Sequence, residues 1–387
     1  MLLETRFEFG DGAGVNSRNL EFLIHDTLAT IDRDAWDACF KADIERYDYL
    51  LAVEQANLVG FEWRYATISY YGVVVAAAPI FLCDYHLETT LERGRLTSLV
   101  EGIRKKFPRF LSLRLACIGS PCTECASIGM HPDIPGIWEA DVMAHLLECT
   151  ERWAQMSGYG LFALKDVPMP LGRALSTTIH RRQFVAMPGL PTAWLRIDFP
   201  DIDTYLARLS YSTRKDMRRK CRAAIKVKVE RVTELGDMLP RFLELYHDTR
   251  NRSEWQFEEL TSDYFTGILS NLPENAFCTV YRVGDDILAF NLLLHNRDML
   301  IDKFFCMDAV RGRPYNLYYV SWFENLRFCL EHELTRYQSG QAYYRNKLRL
   351  GSTLTANAMF FRHQNPVLHT VLKWISPLFS SDGLEKQ

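Results

Sequence analysis

The fold is decided by the stretch Tyr337-Gln338-Ser339-Gly340-Gln341-Ala342-Tyr343-Tyr344-Arg345-Asn346-Lys347-Leu348-Arg349-Leu350-Gly351. Two adjacent tyrosines and three cationic residues follow Gly340 closely. Upstream, apolar side chains at helical spacing predict an amphipathic helix: Leu317, Tyr319, Phe323, Leu326 and Leu330. We expect the Gly340 turn to bring the chain back to the edge of a sheet. The cationic segment is therefore expected beside a cleft and not on a free tail.

The composition is that of a globular protein without a strong overall charge. The chain has 387 residues, of which 48% are hydrophobic and 13% aromatic, which is enough for a sizeable core. At about 150 residues per domain, this length favours two domains. The net charge of -3 excludes a polyelectrolyte that attracts nucleic acid or anionic membranes over its whole surface. Any site for anions must therefore be local.

Features that bear on cellular location favour a cytoplasmic protein. Glu4, Glu8 and Asp11 stand where a secretory signal would need a basic start. The longest apolar run, 73–83, is shorter than the roughly 20 residues that span a bilayer, so we expect no membrane span. Ten scattered cysteines are typical of reduced thiols in a cytosol. Nothing in the sequence fixes the oligomeric state.

A turn-rich segment divides the chain. Met187-Pro188-Gly189-Leu190-Pro191 places two prolines and a glycine between two patterned regions, which is typical of a linker. We therefore expect an N-terminal domain over 1–190. The C-terminal domain is expected over 191–387 and includes a last helix.

Helices and strands alternate in both halves. The first half shows a strand pair over 61–83 that turns at Gly72, helices over 91–106 and 138–156, and a strand over 162–165. The second half shows helices over 203–224, 239–255, 315–333 and 366–379, and strands over 276–282, 287–294, 299–307 and 335–338. Both halves run helices, hairpin, helix, strand. This shared order predicts a mixed α/β structure and an internal structural duplication.

The second half resembles the GNAT acyltransferase superfamily, in the branch of the Fem-type peptidoglycan branching enzymes and the Fem-like and cellulose-biosynthesis-type acetyltransferase domains. The resemblance covers about 200–355. It rests on a basic helix over 212–220, a hairpin ending in 288–292, a helix after Arg313-Pro314-Tyr315-Asn316, and Gly340 followed by Tyr344, Lys347 and Gly351. The first half, with 74–81 and 117–121, looks like the partner domain of such tandem proteins. The resemblance implies two tandem GNAT-like domains.

The resemblance also implies a V-shaped notch between splayed strands that takes an activated acyl group. In members that use acetyl-CoA, backbone N–H groups at a Gly-rich turn before the central helix hold the pyrophosphate. The corresponding turn here, 311–316, has one glycine and a proline without an N–H. We expect Arg313 and Asn316 to contact the donor there. Fem-type enzymes take their acyl group from aminoacyl-tRNA and have a similarly eroded turn, so acyl-CoA and aminoacyl-tRNA both remain possible co-substrates.

Acyl transfer to an amine needs charge that stabilises an oxyanion and a group that accepts a proton. In the family that the chain resembles, a lysine stands at the position of Lys347. We therefore expect Lys347 to stabilise the oxyanion. Tyr344, three residues earlier, is a candidate general acid. His295 on one predicted strand and Asp302 on the next are candidate bases, and Asn291 shares a strand face with His295. Each of these residues also has an ordinary structural interpretation, as packing or as a surface charge.

A basic helix is the candidate site for phosphates. Between 205 and 229 nine Lys or Arg face one Asp, a local balance of 9 - 1 = +8. Arg214, Lys215 and Arg218 fall on one flank of this helix, so we expect them to bind the phosphates of coenzyme A, of tRNA or of a nucleotide-linked acceptor. A solvated helix face is the plainer alternative.

The cysteine spacing is not taken as a metal site. Cys117, Cys122 and Cys125 follow C-x4-C-x2-C, but the context lacks a ferredoxin pattern and no second C-x2-C pair suggests zinc. We therefore expect no metal.

The sequence thus predicts a cytoplasmic N-acyltransferase that moves an acyl group from an acyl-CoA-type donor to an amine by direct attack. One alternative is a Fem-type transferase that uses aminoacyl-tRNA and acts on a cell-wall precursor or a small amine. Another is a noncatalytic module that recognises peptidoglycan or polysaccharide, using aromatic side chains for sugar stacking: Trp194, Trp255, Trp322 and Tyr343. The acceptor, the acyl length and the pathway stay open.

Overall fold

A computed structural model describes residues 19–41, 43–86, 112–126, 128–253 and 257–379. The predicted helix over 91–106 lies outside these residues. Within them, no helix is long and apolar enough to cross a membrane.

The strands and helices alternate along the chain. The strands are β1 (Leu20–His25), β2 (Glu62–Tyr70), β3 (Val73–His86), β4 (Ser112–Ile118), β5 (Gly129–Met130), β6 (Leu161–Pro168), β7 (Val185–Pro188), β8 (Thr192–Arg196), β9 (Lys228–Val232), β10 (Ala276–Val283), β11 (Asp286–His295), β12 (Met299–Met307), β13 (Arg336–Gly340), β14 (Thr353–Thr355) and β15 (Asn357–His363). The helices are α1 (Arg33–Cys39), α2 (Tyr47–Gln55), α3 (Glu139–Met156), α4 (Arg173–Arg181), α5 (Ile202–Arg208), α6 (Tyr211–Ala223), α7 (Leu239–Asn251), α8 (Ser262–Asn271), α9 (Leu317–Glu331), α10 (Tyr344–Arg349) and α11 (Pro366–Phe379). The predicted mixed α/β class is confirmed.

The first sheet has the order β1-β2-β3-β4-β6-β15-β7, with the short β5 paired to β3. Its first four strands pair antiparallel, and β4 and β6 pair in parallel from Leu115/Leu161 to Ile118/Leu164. Helix α3 connects these parallel strands and buries Val142, Leu146 and Leu147 in the core. The predicted turn at Gly72 joins β2 and β3 with a positive φ, a conformation that glycine adopts without strain.

The second sheet has the order β9-β10-β11-β12-β13-β8-β14. Strands β9 to β12 pair antiparallel, and β12 and β13 pair in parallel. Helix α9 connects these parallel strands and packs Trp322, Phe323 and Leu326 into the second core. Both sheets therefore contain four antiparallel strands followed by a parallel pair bridged by a helix, as the predicted duplication requires.

The first sheet also takes one strand, β15, from the second half of the sequence. Strand β8, directly after the predicted linker, pairs with β13 in the second sheet. Strand β15, near the C-terminus, lies between β6 and β7 in the first sheet. The described residues accordingly cluster into one unit within 19–50, 60–189 and 358–379, and another within 51–59 and 190–357. The expected domain over 191–387 differs from this division, because β15 and α11 belong to the first unit.

The predicted helix over 203–224 is two helices. Leu209 has an extended conformation after α5, and the Ser210 Oγ accepts a hydrogen bond from the Thr213 N–H at 3.3 Å. A serine that binds the third N–H after it is a typical helix start. The chain therefore begins a second helix, α6, which carries most of the basic residues.

Candidate active site

The candidate site begins where two parallel strands separate. Strands β12 and β13 pair only from Met299/Arg336 to Ile301/Gln338. Beyond this point β12 continues beside β11 as far as Met307, whereas Gly340 of β13 pairs with β8. The strands of the second sheet therefore leave a notch on the C-terminal side of Ile301 and Gln338.

A strained turn returns the chain to this notch. Gly340, Ala342 and Tyr343 have φ values of 75°, 108° and 53°, and two of these three residues carry a side chain that disfavours positive φ. Helix α10 begins directly afterwards, at Tyr344. The turn thereby places Lys347 back against the strand that precedes it.

Lys347 is buried at the end of β13, with only 5% of its surface exposed. Its Nζ donates to the carbonyl oxygens of Ser339, at 2.5 Å, and Gly340, at 3.1 Å. These carbonyls lie just past the last residue that pairs with β12. An ammonium in such a place supplies positive charge at the notch, and its surroundings exclude most water.

Asp302 is the first residue of β12 beyond the parallel pairing. Its carboxylate accepts hydrogen bonds from Asn291 Nδ2 at 2.8 Å, Asn325 Nδ2 at 3.0 Å and the Tyr337 hydroxyl at 3.2 Å. Burial raises the pKa of Asp302 to about 6, although these hydrogen bonds and the charge of Lys347 act in the opposite direction. A carboxyl group with this pKa exchanges protons near neutral pH, as a general base must.

Several buried polar atoms near Asp302 have no hydrogen-bond partner among the described residues. They are Asn291 Oδ1, Asn325 Oδ1, the Tyr318 hydroxyl and Ser339 Oγ. Both amides turn their nitrogens to the carboxylate, which fixes their oxygens on the other side. Buried polar groups are rarely left unpaired in folded proteins, so such atoms mark a place where water or a ligand binds.

The structure gives Tyr344 a bond that the sequence did not indicate. The Tyr344 hydroxyl donates to the Pro191 carbonyl oxygen at 2.9 Å, and the residue is buried. The Tyr318 hydroxyl instead has no partner among the residues that the structure describes, and the ring of Tyr318 lies 6.1 Å from that of the exposed Tyr343. Tyr318 is therefore better placed than Tyr344 to give a proton to a leaving group.

His295 does not join Asp302 in the notch. It pairs with Leu300 of β12, where β12 and β13 are still hydrogen-bonded. Its ring packs against Phe328 at 5.1 Å and lies 6.1 Å from the ring of His332. Burial lowers the pKa of His295, and the nearby His332 lowers it further. The expectation that His295 and Asp302 line one notch therefore differs from the structure, which surrounds His295 with aromatic rings.

The basic helix α6 is tied to the elements around the notch. Asp216 forms ion pairs with Arg219, Lys220 and Arg349, and the hydrogen bond from Arg219 is the main cause that lowers the pKa of Asp216 to about 2. The Lys220 ammonium lies 3.4 Å from the ring centre of Tyr319 on α9. Because Arg349 is on α10, helix α6 adjoins the helix that carries Lys347.

The three cations predicted to bind phosphate lie on the outer side of α6. Lys215 and Arg218 are exposed and have no acidic partner among the described residues. Arg214 is partly buried and donates to the Ala207 carbonyl oxygen at 3.2 Å. At 1.5 Å of rise per residue, the exposed cations from Lys215 to Arg222 extend over about 10 Å, long enough to contact more than one phosphate.

In the turn before α9, the side chain of Asp308 already binds backbone N–H groups. Asp308 Oδ1 accepts hydrogen bonds from the Val310 N–H at 3.1 Å and the Arg311 N–H at 2.9 Å. Burial raises the pKa of Asp308, but these bonds and nearby arginines outweigh it, and the net shift is downward. Arg313 is exposed, and Asn316 starts α9 in the left-handed conformation without capping it. Two backbone donors that could hold a pyrophosphate are therefore bound to a carboxylate.

Sequence reasoning did not single out Tyr318, Asn325, Tyr337 or Ser339. The spacing of seven residues places Tyr318 and Asn325 on one side of α9, but nothing in the sequence shows that this side faces Asp302. No group of three or more His, Cys, Asp or Glu that could hold a metal ion occurs in the described part of the chain.

Comparison with known proteins gives one family and several solved structures. The profile of the FemAB-like family, described as peptidoglycan biosynthesis/recognition, matches residues 139–376. The crystal structure of FemX is similar with a TM-score of 0.60 and 14% identity, covering 91% of this chain and 100% of that one. A tandem GNAT protein from the clavulanic acid biosynthesis pathway has a TM-score of 0.51 and 13% identity, covering 90% and 99%. No curated protein matches in sequence.

At these identities the structural likeness shows the fold alone. It confirms the expected pair of tandem GNAT-like domains.

Proposed function

This chain belongs to the FemAB-like family, and from that premise we propose that it is an N-acyltransferase that moves an acyl or aminoacyl group to an amine. The observation that carries this proposal is the separation of β12 and β13, with the buried Lys347 and the partly buried Asp302 at the point of separation. Such an opening in a sheet gives an extended acyl group access to charged side chains that are shielded from water. Those charges are what acyl transfer to an amine requires.

Each residue of the notch has a proposed role. The amine nitrogen attacks the carbonyl carbon of the donor, and the Lys347 ammonium stabilises the charge that develops on the carbonyl oxygen. Asp302 accepts the proton that the amine loses. The bond between the carbonyl carbon and the carrier then breaks, and the Tyr318 hydroxyl gives a proton to the departing oxygen or sulfur. No covalent intermediate with the protein is needed.

Two observations favour aminoacyl-tRNA over acyl-CoA as the donor. The carboxylate of Asp308 holds the N–H groups of Val310 and Arg311, so a pyrophosphate would have to displace a like charge there. The exposed cations of α6 instead offer a surface for a longer phosphate backbone. The family description makes a peptidoglycan precursor the proposed source of the acceptor amine.

Thermal unfolding with each donor distinguishes these candidates. A ligand that binds only the folded protein raises its melting temperature, so aminoacyl-tRNA should raise it and acetyl-CoA should not. Uncharged tRNA is the control for binding to the RNA alone. If acetyl-CoA raised the melting temperature and neither tRNA did, the donor would be acyl-CoA instead of aminoacyl-tRNA.

Lys347→Ala tests the reaction itself. Transfer of a labelled aminoacyl group to an amine-bearing stem peptide should fall about a hundredfold or more, because one charge that stabilises the oxyanion is removed. Lys228→Ala removes an exposed lysine that pairs with Glu230 and should leave transfer unchanged. Circular dichroism on both variants separates loss of chemistry from loss of fold. Equal transfer by both folded variants would remove Lys347 from the mechanism.

A noncatalytic recognition module remains the second candidate, because Tyr343 is 66% exposed at the strained turn. The other aromatic residues considered for sugar stacking are less suitable. Trp322 is buried, Trp194 is partly buried, and Trp255 lies outside the described residues. Binding of glycan fragments that is lost in Tyr343→Ala, together with no transfer from any donor, would favour this candidate.

A further inference from the structure

Helix α11 presents an apolar stripe to solvent. Val367, Leu368, Val371 and Trp374 are exposed by 69%, 42%, 48% and 80%. Val367, Val371 and Trp374 follow the spacing i, i+4, i+7 and therefore lie on one side of the helix. Single exposed apolar residues are ordinary, but a row of them along one helix marks an interaction surface.

The helix is held firmly in the first unit by its other side. Leu372 and Ser376 are buried there, and His369 Nδ1 accepts a hydrogen bond from the His363 N–H at 3.3 Å. The Asn365 Oδ1 accepts from the N–H groups of Val367 and Leu368, which fixes the first turn. The exposed stripe is thus a stable feature of a docked helix.

The size of the stripe disfavours a second copy as its partner. Four side chains exposed to this extent present on the order of 400 Å². A stable dimer buries about 800 Å² on each partner. The stripe alone provides about half of that area, whereas insertion of a few apolar side chains is enough for a helix that lies in a membrane interface.

The chemistry of the segment also fits a lipid surface. Trp374 stands at the border of the stripe, beside the exposed Thr370 and Lys373, and tryptophan prefers the boundary between apolar and polar environments. The segment 357–379 contains no Asp or Glu, although the whole chain is acidic with a net charge of -3. Of its two cationic side chains, Arg362 pairs with the buried Glu151, and Lys373 is exposed beside the stripe. This local charge is complementary to anionic headgroups.

We propose that α11 binds the surface of an anionic phospholipid bilayer, with Val367, Val371 and Trp374 inserted among the lipids and Lys373 at the headgroups. This peripheral contact goes beyond the proposed transfer reaction and does not depend on it.

Sedimentation of the full chain with vesicles tests the proposal. The protein should bind vesicles of phosphatidylcholine mixed with phosphatidylglycerol more strongly than vesicles of phosphatidylcholine alone, and added salt should weaken the difference. The double variant Val371→Ser/Trp374→Ser should bind about tenfold less or weaker still. Ile225→Ser is the matched control, because Ile225 is 90% exposed in the other unit.

Three results would overturn the proposal. The first is no vesicle binding by the unaltered chain. The second is binding that the double variant retains in full. The third is a dimer of the unaltered chain in light scattering that becomes a monomer in the double variant, without any lipid binding, which would make the stripe an interface between copies.

Discussion

Asp302 and its neighbours show how single side chains give a partly buried acid a useful pKa. Desolvation raises the pKa of Asp302 to about 6, while Asn291, Lys347, Tyr337 and Asn325 limit the rise. The spacing of residues indicated that Asp302 and Asn291 would lie on adjoining strands. It could not indicate Tyr337 or Asn325, because a tyrosine on a strand and an asparagine within a helix are distinguished only by the packing around them.

Asp302→Asn should change how stability depends on pH. The folded protein keeps the Asp302 proton to a higher pH than the unfolded chain, so stability falls as pH rises from about 4 to about 6 and is constant above that. This fall is at most about 3 kcal/mol, and the variant should lack it. Urea unfolding of both proteins across this range measures the difference. If the free energy of unfolding changed with pH in the same way for both proteins, Asp302 would have an ordinary pKa.

The two tyrosines near the notch should respond differently to loss of their hydroxyl. Tyr344→Phe breaks the hydrogen bond to Pro191 and should lower the free energy of unfolding by about 1 kcal/mol. Tyr318→Phe removes a hydroxyl without a partner and should leave stability equal or slightly higher. Only Tyr318→Phe should slow transfer to the amine from a donor with a poor leaving group. If Tyr318→Phe destabilises the protein and Tyr344→Phe slows transfer, the two roles are exchanged.

At the level of elements, the strands with clear alternation were predictable and the short ones were not. The predicted strand 299–307 and helix 366–379 match β12 and α11 to the residue. Eight strands of two to seven residues each were missed: β1, β4, β5, β7, β8, β9, β14 and β15. These strands pair with segments that are distant in sequence, and the local sequence does not show which segment that is. The break at Ser210 was missed because it depends on one side-chain hydrogen bond.

Helix α6 should control the salt dependence of donor binding. The double variant Lys215→Ala/Arg218→Ala removes two exposed cations, so the slope of log affinity against log salt should become less steep by roughly 1 to 2. Arg219→Ala is the control, because Arg219 already pairs with Asp216 and contributes less to a ligand. Filter binding of aminoacyl-tRNA at several salt concentrations gives the slopes. An unchanged slope in the double variant would place the RNA elsewhere.

At the scale of the whole molecule, the duplication was predictable and the place of β15 in the first sheet was not. The order of helices and strands repeats between the halves, and this order is visible in the hydrophobic pattern. The position of β15 in the first sheet cannot be obtained that way, because a strand carries no mark of the sheet it joins. The buried Glu151 of α3 is bound by Arg182 and by Arg362 of β15, which helps to hold this strand in place.

Arg362→Ala should therefore weaken the first unit. Glu151 is 1% exposed, and losing one of its two arginines should cost about 2 kcal/mol. Hydrogen exchange should show reduced protection in the first sheet and unchanged protection in the second. Arg196→Ala, which removes an exposed arginine beside Asp198, should alter neither sheet. Equal loss of protection in both sheets would show that the two units unfold as one.

The place of β15 also has a consequence for the newly made chain. Strand β6 leaves the ribosome early, but its neighbour β15 is translated roughly 190 residues later, which takes about 10 to 40 seconds at about 5 to 20 residues per second. During that interval the nascent protein has an open edge on β6. The first sheet therefore cannot be completed until residue 363 has left the ribosome, and until then the unpaired edge of β6 can pair with other strands.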